Sequence, residues 1–139
     1  MIDLSQKIVY LAAPKYLLSS DQYDRAFTYL LQRCKGVINP RWMFSSNQDW
    51  LENLSNRLLE SKANAMVIVS DEGIVGKGVY TEHLIFFNSH CPILHYIEDE
   101  QFIEEYDTDV ETKWYQDLIP VRRLRIIDED DWVNYAKIT

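Results

Sequence analysis

The sequence predicts an α/β fold, a flavodoxin-like three-layer sandwich around a mainly parallel sheet of about five strands. Three observations lead there. Short apolar runs with β-branched residues recur at 8–13, 65–69 and 92–97, each bounded by turn or polar residues. Between them lie segments whose apolar residues follow the helical period. Strands that alternate with helices pair in parallel through right-handed crossovers, with helices on both faces of the sheet.

The elements follow in order. Ile8 to Ala13 is an unbroken apolar run ended by Pro14, the pattern of a strand buried on both faces. Ser19 and Ser20 offer N-caps, Asp21 and Asp24 favour the positive helix end, and Tyr23, Ala26, Phe27, Leu30, Leu31 and Cys34 keep helical spacing up to a stop at Gly36. Val37 to Pro40 reads as a short second strand ending in a turn, and Arg41 to Ser46 as a loop carrying Trp42 and Phe44. A second helix starts near Asn47, with Trp50, Leu51, Leu54, Leu58 and Leu59 as its apolar stripe. Ala65 to Val69 is the third strand, and Ser70 to Gly78 is a loop holding three of the four glycines. The third helix runs through Tyr80, Glu82, Leu84, Phe86 and Phe87 towards Ser89, and Pro92 to Ile97 is the fourth strand. Beyond it, 98–120 is an irregular acidic and aromatic segment. Leu124 to Ile127 reads as a fifth strand, and Asp128 to Asp131 cap a terminal helix with Trp132 and Tyr135.

Composition narrows the function classes. The chain has 139 residues, 14 basic against 22 acidic, for a formal charge of −8 and a pI of about 4.8. That length fits one domain, 1–139. With 47% hydrophobic and 26% charged residues it is too apolar for disorder and too charged for a membrane protein. The acidic balance argues against a nucleic acid polymer or an anionic membrane as partner, since both need a basic footprint. Cys34 and Cys91 stand far apart with no CxxC pair and no secretory leader, which fits reduced thiols in the cytoplasm.

In open α/β sheets, ligands bind outside the carboxyl ends of the strands, where the strand order switches. The segments expected there bring Tyr10, Ala12 and Pro14, then Asn39, then Ser70, Asp71, Glu72, Gly76, Gly78 and Tyr80. Gly76-x-Gly78 at a helix start frees backbone N–H groups for an anion or polar ligand, though a plain tight turn explains it as well. It lacks the spacing of a dinucleotide fingerprint and the ending of a P-loop. Glu82 lies roughly one turn into the third helix, where a carboxylate can face the cleft. An ordinary acidic residue near a helix N-terminus has the same spacing.

The order of three motifs resembles the nucleoside 2-deoxyribosyltransferase superfamily, most of all its small bacterial and phage branch. They are Val9-Tyr10-Leu11-Ala12-Ala13-Pro14, Gly78-Val79-Tyr80-Thr81-Glu82 and Cys91-Pro92-Ile93, spread over roughly residues 7–97. The resemblance implies cleavage or transfer of an N-glycosidic bond in a nucleoside or nucleotide, without a cofactor. It implies Glu82 as the nucleophile, Tyr10 as its hydrogen-bonding neighbour, and a homodimer or larger assembly. A carboxylate nucleophile suits an oxocarbenium-like centre and divides one displacement into two. By topology, Asp71 assists the departing base and Asn39 contacts base or sugar. The chain departs from the family in two places. Gly76 stands where an aspartate precedes the glutamate by six residues, and Arg57 falls where the family has a base-contacting aspartate.

The alternative is a non-catalytic nucleotide-binding or sensor module of the same fold, which the two missing aspartates favour. A structural subunit of a larger assembly is a third reading. His83, His90 and His95 lack a metal-site context, so no metal is expected, and the cysteines read as small buried hydrophobes. Arg122, Arg123 and Arg125 read as the solvated edge of a strand.

Overall fold

A computed structural model describes residues 3–70, 74–97, 102–105 and 125–127. Strand β1 (Ile8–Ala12) leads through a 3-10 turn at Lys15–Leu17 into helix α1 (Asp21–Leu31). Ser20 caps α1, its Oγ accepting from the Tyr23 amide at 3.1 Å, with Asp21 and Asp24 in the first turn. The helix ends at Leu31, before Cys34, and Gly36 opens strand β2 (Gly36–Ile38) instead of stopping the helix. Next comes a single helical turn, α2 (Pro40–Met43), where the sequence suggests a loop. Asn39 caps it and Pro40 takes its first position, where a missing N–H costs nothing. Helix α3 (Asn47–Ser61) is capped by Ser46 and ends on Lys62 in the left-handed region at φ 61°. Strand β3 (Ala65–Ile68) follows.

The predicted loop 70–78 is in part regular. Ile74–Gly76 forms strand β4, and helix α4 (Lys77–Asn88) starts directly after it. Strand β5 (Ile93–Ile97) returns to the sheet, followed by β6 (Phe102–Glu105) and β7 (Arg125–Ile127). Most of 98–120 and the expected terminal helix lie outside the described residues.

The main sheet has the order β2-β1-β3-β5-β6. Its first four strands are parallel, and β6 lies antiparallel on β5. The parallel sheet thus has four strands, not five. The fifth expected strand, β7, pairs instead with β4 in a separate two-stranded sheet. The outer edge of β5 is hydrogen-bonded to β6, and β7 pairs with β4.

Alternate residues of each strand point to opposite faces. Val9, Leu11, Ala65, Val67, Leu94 and Tyr96 pack with Tyr23, Ala26 and Leu30 of α1. Tyr10, Ala12, Met66, Ile68 and Ile93 pack with Leu54 and Leu58 of α3 and Val79 and Phe86 of α4. This is an α/β arrangement with helices on both faces of a parallel sheet, compatible with a flavodoxin-like layout. Among the described residues, no helix is long and apolar enough to cross a membrane.

Candidate functional site

The strand order reverses direction at β1 and β3, which places the switch point at their carboxyl ends. Tyr10 lies on β1 on the face towards α3 and α4. It is fully buried, and its ring stacks on Phe86 with centroids 5.7 Å apart. On α4, Val79, Glu82 and Phe86 recur at spacings of three and four, one helical face. Val79 and Phe86 pack in the core under that face, so Glu82 is carried inward between them and is only 4% exposed. The Tyr10 hydroxyl donates to Glu82 Oε2. The Trp50 indole Nε1–H donates to the same oxygen at 3.2 Å. One carboxyl oxygen thus ties together β1, α3 and α4.

Burial pushes the Glu82 carboxyl well above the usual carboxylate range. Two neutral donors stabilise the ionised form, but neither supplies the positive charge that would offset the loss of water. Burial thus favours the protonated form of this carboxyl, and positive charge developing beside it would favour the ionised one.

Trp50 comes from the first turn of α3, whose start is firmly fixed. Asp49 accepts from the Ser45 amide at 2.9 Å and from Asn53 Nδ2 at 2.7 Å, and pairs with Arg57 at 3.3 Å. Those hydrogen bonds hold the Asp49 carboxyl below its usual range. Across from the indole stands Gly78, where an added Cβ would lie 3.8 Å from the six-membered ring. The ring of Tyr80 stacks on His83 at 5.7 Å, and His83 in turn lies 5.7 Å from Phe87. His83 is buried, which pushes its pKa down to about 4 and keeps it neutral.

The other predicted residues divide. Ala12 is buried on the same sheet face as Tyr10. Pro14 is buried and begins the 3-10 turn. Asn39 is buried, and its Oδ1 accepts from the Arg41 amide at 3.0 Å, so that oxygen serves the cap of α2. Gly76 ends β4, and Gly78 is the second residue of α4 rather than part of a loop. Asp71 and Glu72 lie outside the described residues. The structure therefore joins Tyr10 to Glu82 and sets Gly78 against Trp50.

Sequence reasoning missed Trp50 as a site residue. It stands four positions before Leu54 and so reads as core, since hydropathy does not register an indole N–H. A second polar pair also escaped notice. Ser70 Oγ and His95 Nε2 lie 2.8 Å apart, both buried, and the Ser70 carbonyl accepts from Gln22 Nε2 at 3.0 Å. Both cysteines are free and partly exposed, with burial raising their thiol pKa values, the reverse of an activated thiolate. Among the described residues, no group of three His, Cys, Asp or Glu side chains is placed to hold a metal ion.

No protein-family model, curated protein or solved structure matches this chain.

Proposed function

We propose that the chain cleaves or transfers the N-glycosidic bond of a nucleoside or nucleotide, with Glu82 as nucleophile. The observation that carries this reading is the Glu82 carboxyl, buried on the α3–α4 face of the sheet with Tyr10 and Trp50 converging on one of its oxygens. The resemblance to the nucleoside 2-deoxyribosyltransferases supports it at the same two positions, Tyr10 and Glu82.

The step balances without a cofactor. A carboxyl oxygen of Glu82 bonds to the anomeric carbon as the bond from that carbon to the base breaks. The electron pair of the broken bond goes to the base nitrogen, which takes up a proton. The carboxyl attacks in its ionised form, and the proton reaches the base from solvent or from the group that assists its departure, leaving a glycosyl ester and a neutral base. Water, or a second base, then attacks the anomeric carbon and returns the carboxyl to its starting state. Tyr10 keeps the carboxyl oriented and adds no charge. Asp71 remains the candidate to assist the departing base, and a homodimer or larger assembly remains the expectation.

A second reading has its own observation. Arg57, standing where the family has a base-contacting aspartate, is engaged with Asp49 at 3.3 Å and with the Met43 carbonyl at 2.9 Å. A scaffold that uses this position for internal bonding suits a nucleotide-binding module that has kept the pocket without the chemistry.

Chromatography of free base released from a panel of nucleosides and nucleotides separates the two. Release by the wild type and none by Glu82→Gln supports the glycosidic reading. No release from any member, together with thermal stabilisation by one of them, supports the binding module. Equal release by both proteins overturns Glu82 as nucleophile.

A further inference from the structure

Among the described residues, the two hydrogen bonds to the Glu82 carboxyl both end on Oε2, and none ends on Oε1. The two donors differ in origin. The Tyr10 phenol rises from the central strand β1, whereas the Trp50 indole reaches across from the first turn of α3. Each fixes a different direction, so the carboxyl cannot rotate about its terminal bond without breaking one of them. An indole N–H donates only, so it favours an acceptor oxygen over a protonated one.

We infer that Trp50 is the positioning residue of Glu82: its indole N–H and the Tyr10 hydroxyl fix Oε2, and Oε1 is the oxygen that meets the ligand. The inference rests on the glycosidic reading for the chemistry at Oε1, but the hold on Oε2 can be measured without it. The hold explains two further features. Gly78 stands against the indole six-membered ring, where a side chain larger than alanine would push the ring from its place. The tight hydrogen bonding of Asp49, the neighbour of Trp50, keeps the helix start from fraying.

Among the described residues, the titratable groups around the carboxyl are few, and on α4 they include Tyr80, which stacks on His83. Tyr10 of β1 touches it, and His83 follows it on α4. His95 of β5 lies on the same sheet face, and on α3 Asp49 and Arg57 pair with each other. A pH response of the Trp50 indole that vanishes in Glu82→Gln therefore belongs to Glu82.

The test uses the full chain with nitrogen-15-labelled indoles and the variant Trp50→Phe, which keeps an aromatic ring and loses the N–H. Four tryptophans give four indole signals, and the one absent from Trp50→Phe is that of Trp50. That signal is expected to move with pH in the wild type and to stay still in Glu82→Gln. In the release assay, Trp50→Phe is expected to lower kcat about ten- to a hundredfold with KM nearly unchanged, the effect of losing one hydrogen bond to a charged group. The acidic limb of its pH profile is expected to move upward, because the ionised carboxyl has lost a donor. A merely structural tryptophan would lower the melting temperature and leave that limb in place.

Wild-type kcat and an unmoved acidic limb in Trp50→Phe overturn the inference, as does a Trp50 signal indifferent to pH and to Glu82→Gln. If the wild type releases no base but the Trp50 signal follows Glu82, the glycosidic reading fails and the hold on Oε2 stands. If Trp50→Phe does not fold, Trp50→His restores a ring N–H on a smaller frame. A folded Trp50→His that recovers neither the acidic limb nor kcat overturns the inference as well.

Discussion

Tyr23 on one face of the parallel sheet and Tyr10 on the other are both fully buried, and they do different work. Under α1, Tyr23 donates to the Leu11 carbonyl at 2.8 Å, among leucines, valines and alanines. Under α3 and α4, Tyr10 donates to the carboxyl of Glu82. The first bond ends on a neutral backbone group of the sheet itself, and burial lifts the Tyr23 phenol far above its usual range. Nothing on that face can gain or lose a proton near neutral pH through it. The second bond ends on an acid whose protonation burial has made adjustable. A phenol on a carbonyl is a fastener, while a phenol on a buried acid is a setting. The α1 face holds the fold together, and the α3–α4 face concentrates the groups that can act: Glu82, His83, and the pair Ser70 and His95.

The sharpest way to widen this contrast is Glu82→Gln, which keeps shape and removes acidity. Glycosidic turnover is expected to fall by about a thousandfold or more, read as released base, with the melting temperature near that of the wild type. Leu30→Ala acts on the other face. It is expected to cost about 2–5 kcal/mol in chemical denaturation. Any surviving folded fraction should keep the wild-type acidic limb. The two tyrosines give the paired comparison. Tyr23→Phe is expected to cost about 1–3 kcal/mol of stability by leaving a buried carbonyl unsatisfied, and to spare the chemistry. Tyr10→Phe is expected to cost a similar amount and also to shift the acidic limb upward. If the two variants have identical pH profiles, the distinction between the faces collapses.

The smallest effect is a pH dependence of stability with two opposed parts. Glu82 has a folded pKa raised above its unfolded value, so its contribution is full below the unfolded value and is lost as pH rises through the folded one. His83 has its pKa lowered from 6.5 to about 4, so its contribution is full above 6.5 and is lost as pH falls towards 4. Glu82→Gln is expected to leave only the His83 slope, with stability rising from pH 4 to 6.5 in urea titrations at a series of pH values. A curve unchanged by Glu82→Gln would mean that the acid is not buried in solution as it is here.

Much of this arrangement was legible in the sequence, and the misses share a cause. The long elements announce themselves by period or by apolar run: β1, α1, α3, β3, α4 and β5 all fall near their expected places. Three-residue strands carry no period. β4 ends in glycine, and its partner β7 lies about fifty residues downstream, a pairing no local window can register. β6 reads Phe-Ile-Glu-Glu, half acidic, and joins the sheet antiparallel at an edge. The stripe on α3 was drawn too wide, since Leu54 and Leu58 are buried whereas Leu51 and Leu59 are 64% and 78% exposed. At the site, Tyr10 and Glu82 could be found because motif order points to them. Trp50 could not, because an amphipathic side chain on an apolar stripe looks like core until its nitrogen finds a partner.

The direct junction of β4 to α4 has a consequence in time. During synthesis the ribosome delivers β1, β3 and Glu82 early, and the four parallel strands can assemble once β5 has emerged. The strand at the root of α4 still lacks its companion, and β7 supplies it only after residue 127 has been made. A newborn chain would thus own its acid before it owned the full footing of the helix that carries it, which postpones the working geometry until β7 has been made.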